Sequence, residues 1–445
     1  MRNAAGSLPE HGRSLAGEIR QPVDDCVHCG FCLPACPTWR LWGQEMDSPR
    51  GRIDLFRALC DGRVAVSPAT AEHFDRCLGC MACMTACPSG VRYDRVIEAA
   101  RARVEGELPR PTGDRLFRAL VFGLFPHPRR LRAAALLLWL ARVVGLRWLL
   151  RRSGVLRCLP RLAQLDALAP RVQFRQLWSR QPRFVPARGQ RRLRVGLVQG
   201  CVQRVFFPEV NAATARVLAA EGVEVAIPRQ GCCGALSLHA GRIAEARHMA
   251  ADLLRQLDEA RVDIVVVNAS GCGSHLKELG HLLADHPRLA ARAEALAARV
   301  RDVTELLAVL PPRAPRASLR ARVAWHTPCH LGHAQRLEAD PRTALRTIPG
   351  LELVELDDGG TCCGSAGVYN LFEPDVAAEL GARKADAIAA TGAPVLASAN
   401  PGCTLQLGSI LSKRGVEVQA VHPIELLDRA IQEAEQTGGG SLGEP

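Results

Sequence analysis

Two cysteine runs constrain this chain more than anything else in it. Cys26-Val-His-Cys29-Gly-Phe-Cys32-Leu-Pro-Ala-Cys36-Pro37 is answered downstream by Cys77-Leu-Gly-Cys80-Met-Ala-Cys83-Met-Thr-Ala-Cys87-Pro88. Each is a C-x2-C-x2-C-x3-C-P run, in which three closely spaced thiolates wrap one corner of a cubane cluster and the fourth reaches across to the other cluster. On that rule Cys26, Cys29, Cys32 and Cys87 hold one [4Fe-4S] cluster, and Cys77, Cys80, Cys83 and Cys36 hold a second. A single C-x2-C serves a zinc knuckle or a redox pair equally well, whereas two four-cysteine runs, each closed by proline, leave little room for either.

The remaining cysteines are nearly all patterned too. Sixteen of the eighteen fall into motifs, and only Cys60 and Cys158, expected to be packed thiols, stand alone. With 445 residues the chain is long enough for two or three domains. Met1 to Arg20 contains no apolar leader, so so many cysteines point to a reducing, cytoplasmic setting and to metal rather than disulfides. The net charge of +12 is local: residues 101–194 carry 22 arginines, no lysine and four acids, which leaves the rest of the chain slightly acidic. Phosphate-binding arms concentrate arginine in this way, but they rarely carry runs such as Leu120-Val-Phe-Gly-Leu-Phe-Pro126 or Ala133-Ala-Ala-Leu-Leu-Leu-Trp-Leu-Ala141. Arg142, Arg147, Arg151 and Arg152 interrupt the apolar stretch too soon for one helix to span a bilayer. Leu- and Arg-rich helices with scattered Trp139, Trp148 and Trp178 suit a membrane interface or the face of a partner subunit; an ordinary helical linker with solvated arginines is the alternative.

The 40 residues between Cys36 and Cys77 exceed what a compact bacterial ferredoxin needs. This insertion contains Asp47-Ser-Pro-Arg-Gly-Arg-Ile53, a helix start with Ser48 as N-cap and Pro49 in the first helical position. Arg50 and Arg52 either face the negatively charged clusters or a partner, or are surface charge. From Leu193 strands alternate with helices, which predicts a parallel α/β layer with its chemistry at the carboxyl ends of the strands. Leu193–Val198 leads to Cys201, Val223–Ile227 to Gly231-Cys-Cys-Gly234, and Asp263–Asn268 to Gly271-Cys272-Gly273. The plan repeats with His326-Thr-Pro-Cys329, Cys362-Cys363-Gly364 and Pro401-Gly-Cys403, and the spacings agree: 30 against 32 residues, then 38 against 39. This is an internal duplication. The tail from Gln436 is expected to be disordered.

Adjacent cysteines chelate one mononuclear metal poorly, but they bridge neighbouring irons or stack thiolates at one end of a cluster. Cys201, Cys232, Cys233 and Cys272 form one candidate metal-binding set, and Cys329, Cys362, Cys363 and Cys403 the other. Four thiolates satisfy zinc equally well.

These residues together resemble the iron-sulfur subunit of bacterial glycolate oxidase (glycolate dehydrogenase). The resemblance rests on the two cluster runs, the Asp-Ser-Pro-Arg-Gly-Arg-Ile insertion, and the paired Cys-Cys-Gly modules with Asn268-Ala-Ser-Gly-Cys-Gly273 and His326-Thr-Pro-Cys329. It implies a subunit, with no flavin of its own, that takes electrons from FAD-binding glycolate oxidase subunits oxidising glycolate to glyoxylate. From there they pass towards a quinone or other membrane acceptor, with the chain peripheral at the inner face of the cell membrane. Iron-sulfur subunits of lactate or anaerobic glycerol-3-phosphate dehydrogenases, and heterodisulfide reductases, share the module. In the last of these the module ends in C-x-x-C. Here the ends read Cys272-Gly-Ser-His275 and Cys403-Thr-Leu-Gln406, so each has lost a thiolate, and His275 is available as a nitrogen ligand.

The expected architecture is therefore α+β and multidomain. It comprises a helical two-[4Fe-4S] ferredoxin-like domain at 1–105, a basic apolar helical linker at 106–192, and Cys-Cys-Gly modules at 193–310 and 321–432. No G-x-G-x-x-G follows a predicted strand and no Walker lysine appears, so no catalytic residue is assigned to this chain and substrate oxidation is expected on partners. The competing classes are a thiol or disulfide enzyme and a basic nucleic-acid-binding protein; the missing thiolates argue against the first and the apolar linker against the second.

Overall fold

The computed structural model describes residues 20–170 and 172–438. The chain divides into two compact units, Met1–Thr112 with Ser237–Ile243, and Gly113–Leu236 with Ala244–Pro445.

The first unit is helical. Helix Pro49–Cys60 starts where the sequence predicts, with the Ser48 side chain accepting from the Gly51 N–H at 3.0 Å and Pro49 at its first position. Its Ile53, Phe56 and Leu59 are buried, with Phe74 edge-on to Phe56 at 6.4 Å between ring centroids. A helix runs from Tyr93 to Glu107 and buries Val96, Ile97, Ala100 and Val104, the three-and-four spacing of one helical face. Each fully buried Val, Ile, Leu or Phe side chain contributes about 1.5–3 kcal/mol, so this apolar seam helps hold the two cysteine loops together.

The second unit contains both α/β modules. Strands β1 (Phe184–Val185), β2 (Leu193–Val198), β3 (Val223–Ala226), β4 (Ile264–Val267) and β5 (Val300–Asp302) form a sheet of order β1-β3-β2-β4-β5. Strands β6 (Ala321–His326), β7 (Leu351–Glu355), β8 (Val395–Ser398) and β9 (Gln419–Val421) form a second, of order β7-β6-β8-β9. All pairings are parallel except β1 with β3. Leaving out β1, the second sheet repeats the order of the first, as the duplication requires. The near-continuous apolar runs of β2, β4 and β8 are what strands covered on both faces look like. Short polar β5 and β9 escape a reading by apolar runs. Both modules share one core, from Val195, Leu197 and Val225 to Val323, Trp325 and Ile424.

The basic segment is not a bare connector. Phe117 and Phe122 flank Phe372 of the second module at 5.8 and 6.2 Å, and the Arg118 guanidinium lies 4.6 Å over the Phe372 ring. Leu131 and Ala135 pack with Val172, Leu177 and Val205. Leu137, Val143, Val144, Trp148 and Leu149 stay exposed. Among the described residues no single helix is long and apolar enough to cross a membrane; Pro128–Val143 and Leu146–Arg152 reach that length and composition only as a pair bent by 73°.

Two expectations need correction. Cys60 and Cys158 are exposed rather than packed, because each ends a helix on its solvent side. Helix Pro423–Gly438 runs through the first residues of the tail expected to be disordered, and 439–445 lie outside the described residues, as do Met1 to Ile19.

Candidate metal centres

The insertion motif organises the first unit's cysteines residue by residue. Asp47 and Arg52 are fully buried, with Arg52 Nη2 3.3 Å from Asp47 Oδ1 and His73 Nδ1 3.1 Å from the same oxygen. Arg52 also donates to the His73 carbonyl at 2.6 Å and to Thr38 Oγ1 at 3.1 Å, and Thr38 Oγ1 lies 3.2 Å from Cys36 Sγ. Burial opposes the Arg52 charge, yet the thiols of Cys77 and Cys36, with Tyr93 and Asp47, raise its pKa. Gly51 sits so close to the preceding turn that an added Cβ would lie 1.9 Å from the Glu45 carbonyl oxygen. Arg50 turns the other way, pairing with Glu45 at 2.6 Å and donating to the His28 carbonyl, inside the first cysteine loop, at 3.3 Å. The two arginines thus serve different cysteine groups, a division their spacing in sequence does not reveal.

Those groups cross the sequence. Cys26, Cys29, Cys32 and Cys87 line one hollow, with Cys83 and Tyr93 also on its wall. Burial and then the thiols Cys80, Cys77 and Cys36 push the Cys83 thiol well above its ordinary pKa. Burial also resists ionisation of Cys77, but Arg52 and Arg101 outweigh it and hold that thiol below the usual value. Cys77 Sγ accepts from the Gly79 N–H at 3.4 Å and lies 3.6 Å from the Tyr93 hydroxyl.

In the second unit the predicted cysteines converge at the carboxyl ends of the parallel strands, beside the first strand of each module where the order reverses. Cys232 Sγ is 3.4 Å from Cys201 Sγ, and Cys233 interacts with Cys232 and Cys272. Cys362 interacts with Cys329 and Cys363, and Cys363 with Cys403. The Cys-Cys turn needs glycine next. Gly234 and Gly364 have φ of +96° and +82°, and a Cβ on either would meet the Ala246 or Ala377 carbonyl at 2.7 or 2.4 Å.

The first module's loops are locked by a buried amide network. Gln203 donates to Asn268 Oδ1 at 2.7 Å, and Asn268 donates to Asn211 and Thr214, both at 2.9 Å. Arg204 ties the Cys201 loop to the Cys232 loop through Gly200, Gln230 and Gly231 carbonyls at 2.7–2.8 Å. Its charge faces the Cys201, Cys232 and Cys272 thiols.

His275 is buried. Its Nε2 is 2.8 Å from the Cys233 carbonyl, which leaves Nδ1 without a partner, and burial pushes its pKa down to about 4. Its counterpart Gln406 is equally buried, donating to the Ala377 carbonyl at 3.1 Å and accepting from Asn370 at 2.9 Å. Both hold backbone beside the Cys-Cys turn.

The donor sets fit metal. Thiols crowded out of water raise one another's pKa, as Cys232 and burial do for Cys201, and a cation among them inverts that balance. One residue of a motif read from the sequence was not counted among the candidate ligands: His326, at the end of β6, brings a ring nitrogen within 4.8 Å of Cys363 and Cys403 Sγ. The signal lay in the duplication, because the matching position in β2 is Val198.

Four-thiol groups in a helical unit and two further quartets at strand ends in repeated α/β modules define a multicentre iron-sulfur protein. Residues 22–91 match the 4Fe-4S dicluster domain, 195–277 and 323–408 each match the cysteine-rich domain, and 113–169 match the linker region of the glycolate oxidase iron-sulfur subunit. The probable glycolate oxidase iron-sulfur subunit of Bacillus subtilis is 36% identical over 93% of this chain and 96% of its own. The glycolate oxidase iron-sulfur subunit of Escherichia coli is 35% identical over 92% and 94%. Lactate utilization protein A of an Exiguobacterium species is 30% identical over 54% of this chain and 99% of its own. The chain belongs to the glycolate oxidase iron-sulfur subunit family.

Proposed function

We propose that this chain is the electron-transfer subunit of a glycolate-oxidising complex, taking electrons from FAD-binding subunits that turn glycolate into glyoxylate. The observation that carries the reading is similarity along nearly the whole length of two relatives bearing that name. Cys26, Cys29, Cys32 and Cys87 hold one [4Fe-4S] cluster, and Cys77, Cys80, Cys83 and Cys36 the other. Cys201, Cys232, Cys233 and Cys272, with Cys329, Cys362, Cys363 and Cys403, hold further centres, and His275 supports the first module's turn from behind. The clusters supply one-electron acceptance at potentials set by ligation, burial and hydrogen bonds to sulfur. The chain's own part is to set those terms. Arg52 and Arg101 hold positive charge against Cys77, Arg204 does so for the first module, and the Gly79 and Gly234 N–H groups donate to sulfur at 3.4 Å.

The exposed Leu137, Val143, Val144, Trp148 and Leu149, among solvent-facing Arg129, Arg142 and Arg152, support peripheral contact with the inner face of the cell membrane, where a quinone takes the electrons. Nucleic acid plays no part. Anaerobic affinity purification from native membranes tests this: flavin-bearing chains come with the protein, and recovery of the chain alone counts against the subunit reading. Flotation with anionic vesicles tests the surface. Binding weakens as salt rises, and a Trp148→Glu, Leu149→Glu double variant loses at least tenfold; vesicle-independent behaviour of both proteins removes the membrane from the account.

A further inference from the structure

The two modules repeat in backbone and differ in what their strand ends offer a metal. In the first, β2 ends in Val198, buried and apolar, so this strand end adds no donor to the thiols, and the positive charge of Arg204 faces them. In the second, the structurally matching residue is His326, 1% exposed. Among the described residues neither ring nitrogen of His326 has a nitrogen or oxygen partner; what the ring meets is the Cys363 thiol. An imidazole sealed from water with no nitrogen or oxygen partner is costly to keep. What lies within reach is sulfur: one ring nitrogen, Cys363 Sγ and Cys403 Sγ all lie within 4.8 Å of one another, and each residue is buried.

The surroundings differ in the same sense. Asn400 donates to Cys403 Sγ at 3.3 Å. Lys384, 3% exposed, pairs with Asp358, where the first module carries the apolar Leu253 at the matching helix position. Cys329 leads into a π-turn, His330–Ala334, where the first module has an α-turn, Gln203–Phe206; such turns recur at functional sites. Histidine and thiolate together suit iron and zinc, and exchanging a thiolate for imidazole changes both the charge and the potential of a centre.

From this asymmetry we infer that the second module holds a mixed nitrogen and thiolate metal centre, with His326 as a ligand beside Cys363 and Cys403, whereas the first module is all-thiolate. The inference rests on the reading that the modules carry metal. It does not depend on which donor reduces the protein.

The test is pulsed EPR on the full-length chain purified anaerobically, after elemental analysis has told iron from zinc; a zinc centre is first exchanged for cobalt. The expected result is strong hyperfine coupling to a histidine nitrogen, which changes isotope when the protein is made with 15N-histidine. His326→Val, which copies the first module, abolishes that coupling while the N-terminal cluster signals remain. His326→Gln serves the same purpose if the valine variant does not fold, and His275→Gln keeps the coupling. No histidine coupling in the wild-type protein, coupling that survives loss of His326, or an absence of metal beyond the N-terminal clusters would each overturn the inference. Reduction of the N-terminal clusters by substrate reads the electron-transfer role independently, so one can fail while the other stands.

Discussion

Arg52 shows how much one side chain can be asked to do. Its guanidinium is enclosed with Asp47 and donates to Thr38 and the His73 carbonyl, while facing the thiols of Cys36 and Cys77. Removing one member of a buried pair strands the other and costs about 3–5 kcal/mol. Arg52→Met is therefore expected to lose the cluster of Cys77, Cys80, Cys83 and Cys36, measured as roughly half the N-terminal iron, and to lower the urea midpoint; full iron content would contradict this. His422 gives a pH dependence. Its Nδ1 accepts from the Ile424 N–H at 3.1 Å, and burial pushes its pKa down to about 3 from 6.5. The folded state thus binds fewer protons than the unfolded state between those values, so stability falls as pH drops through that window, by about 2 kcal/mol at about pH 5. His422→Asn keeps an acceptor for the helix start, and denaturation at several pH values should show that it removes this part of the acid sensitivity.

At the scale of elements, two devices hold the cysteine groups together, crossed ligation and the glycine after the paired cysteines. Cys87→Ser should lose the cluster of Cys26, Cys29 and Cys32, and Cys36→Ser the other; EPR of each variant reads which signal disappears, and loss of the cluster belonging to the mutated run refutes the crossing. Gly364→Ala sets backbone strain of about 1–3 kcal/mol on top of a collision with the Ala377 carbonyl. Gly392→Ala shares a positive φ, +62°, but has nothing within 4 Å of the new Cβ. The first is expected to lose second-module metal and the second to keep it. Much of this was legible in the sequence, because cysteine spacing, the Ser48 cap with Pro49 and the duplicated strand ends are local signals. The role of His326 was not, since it depends on which strand end faces which loop. His275 shows the same limit: its place after Cys272 looks like a ligand's, and the contact of its Nε2 with the Cys233 carbonyl appears only once the turn is folded.

For the whole molecule, the duplication and the parallel α/β layer follow from the sequence, whereas the strand order and the packing of the basic segment do not. Composition marks that segment as apolar and arginine-rich, but only the fold shows Phe117 and Phe122 around Phe372 and leaves Trp148 outside. Period and spacing carry no information on which apolar residues a distant helix will cover. The central claim, that this chain carries electrons from glycolate oxidation, is tested most directly by adding glycolate to the anaerobically purified complex and following cluster absorbance. Bleaching by glycolate is expected, lost when the flavin-bearing subunits are stripped away and not reproduced by glycerol 3-phosphate. Clusters that stay oxidised with glycolate and bleach with another donor would contradict it.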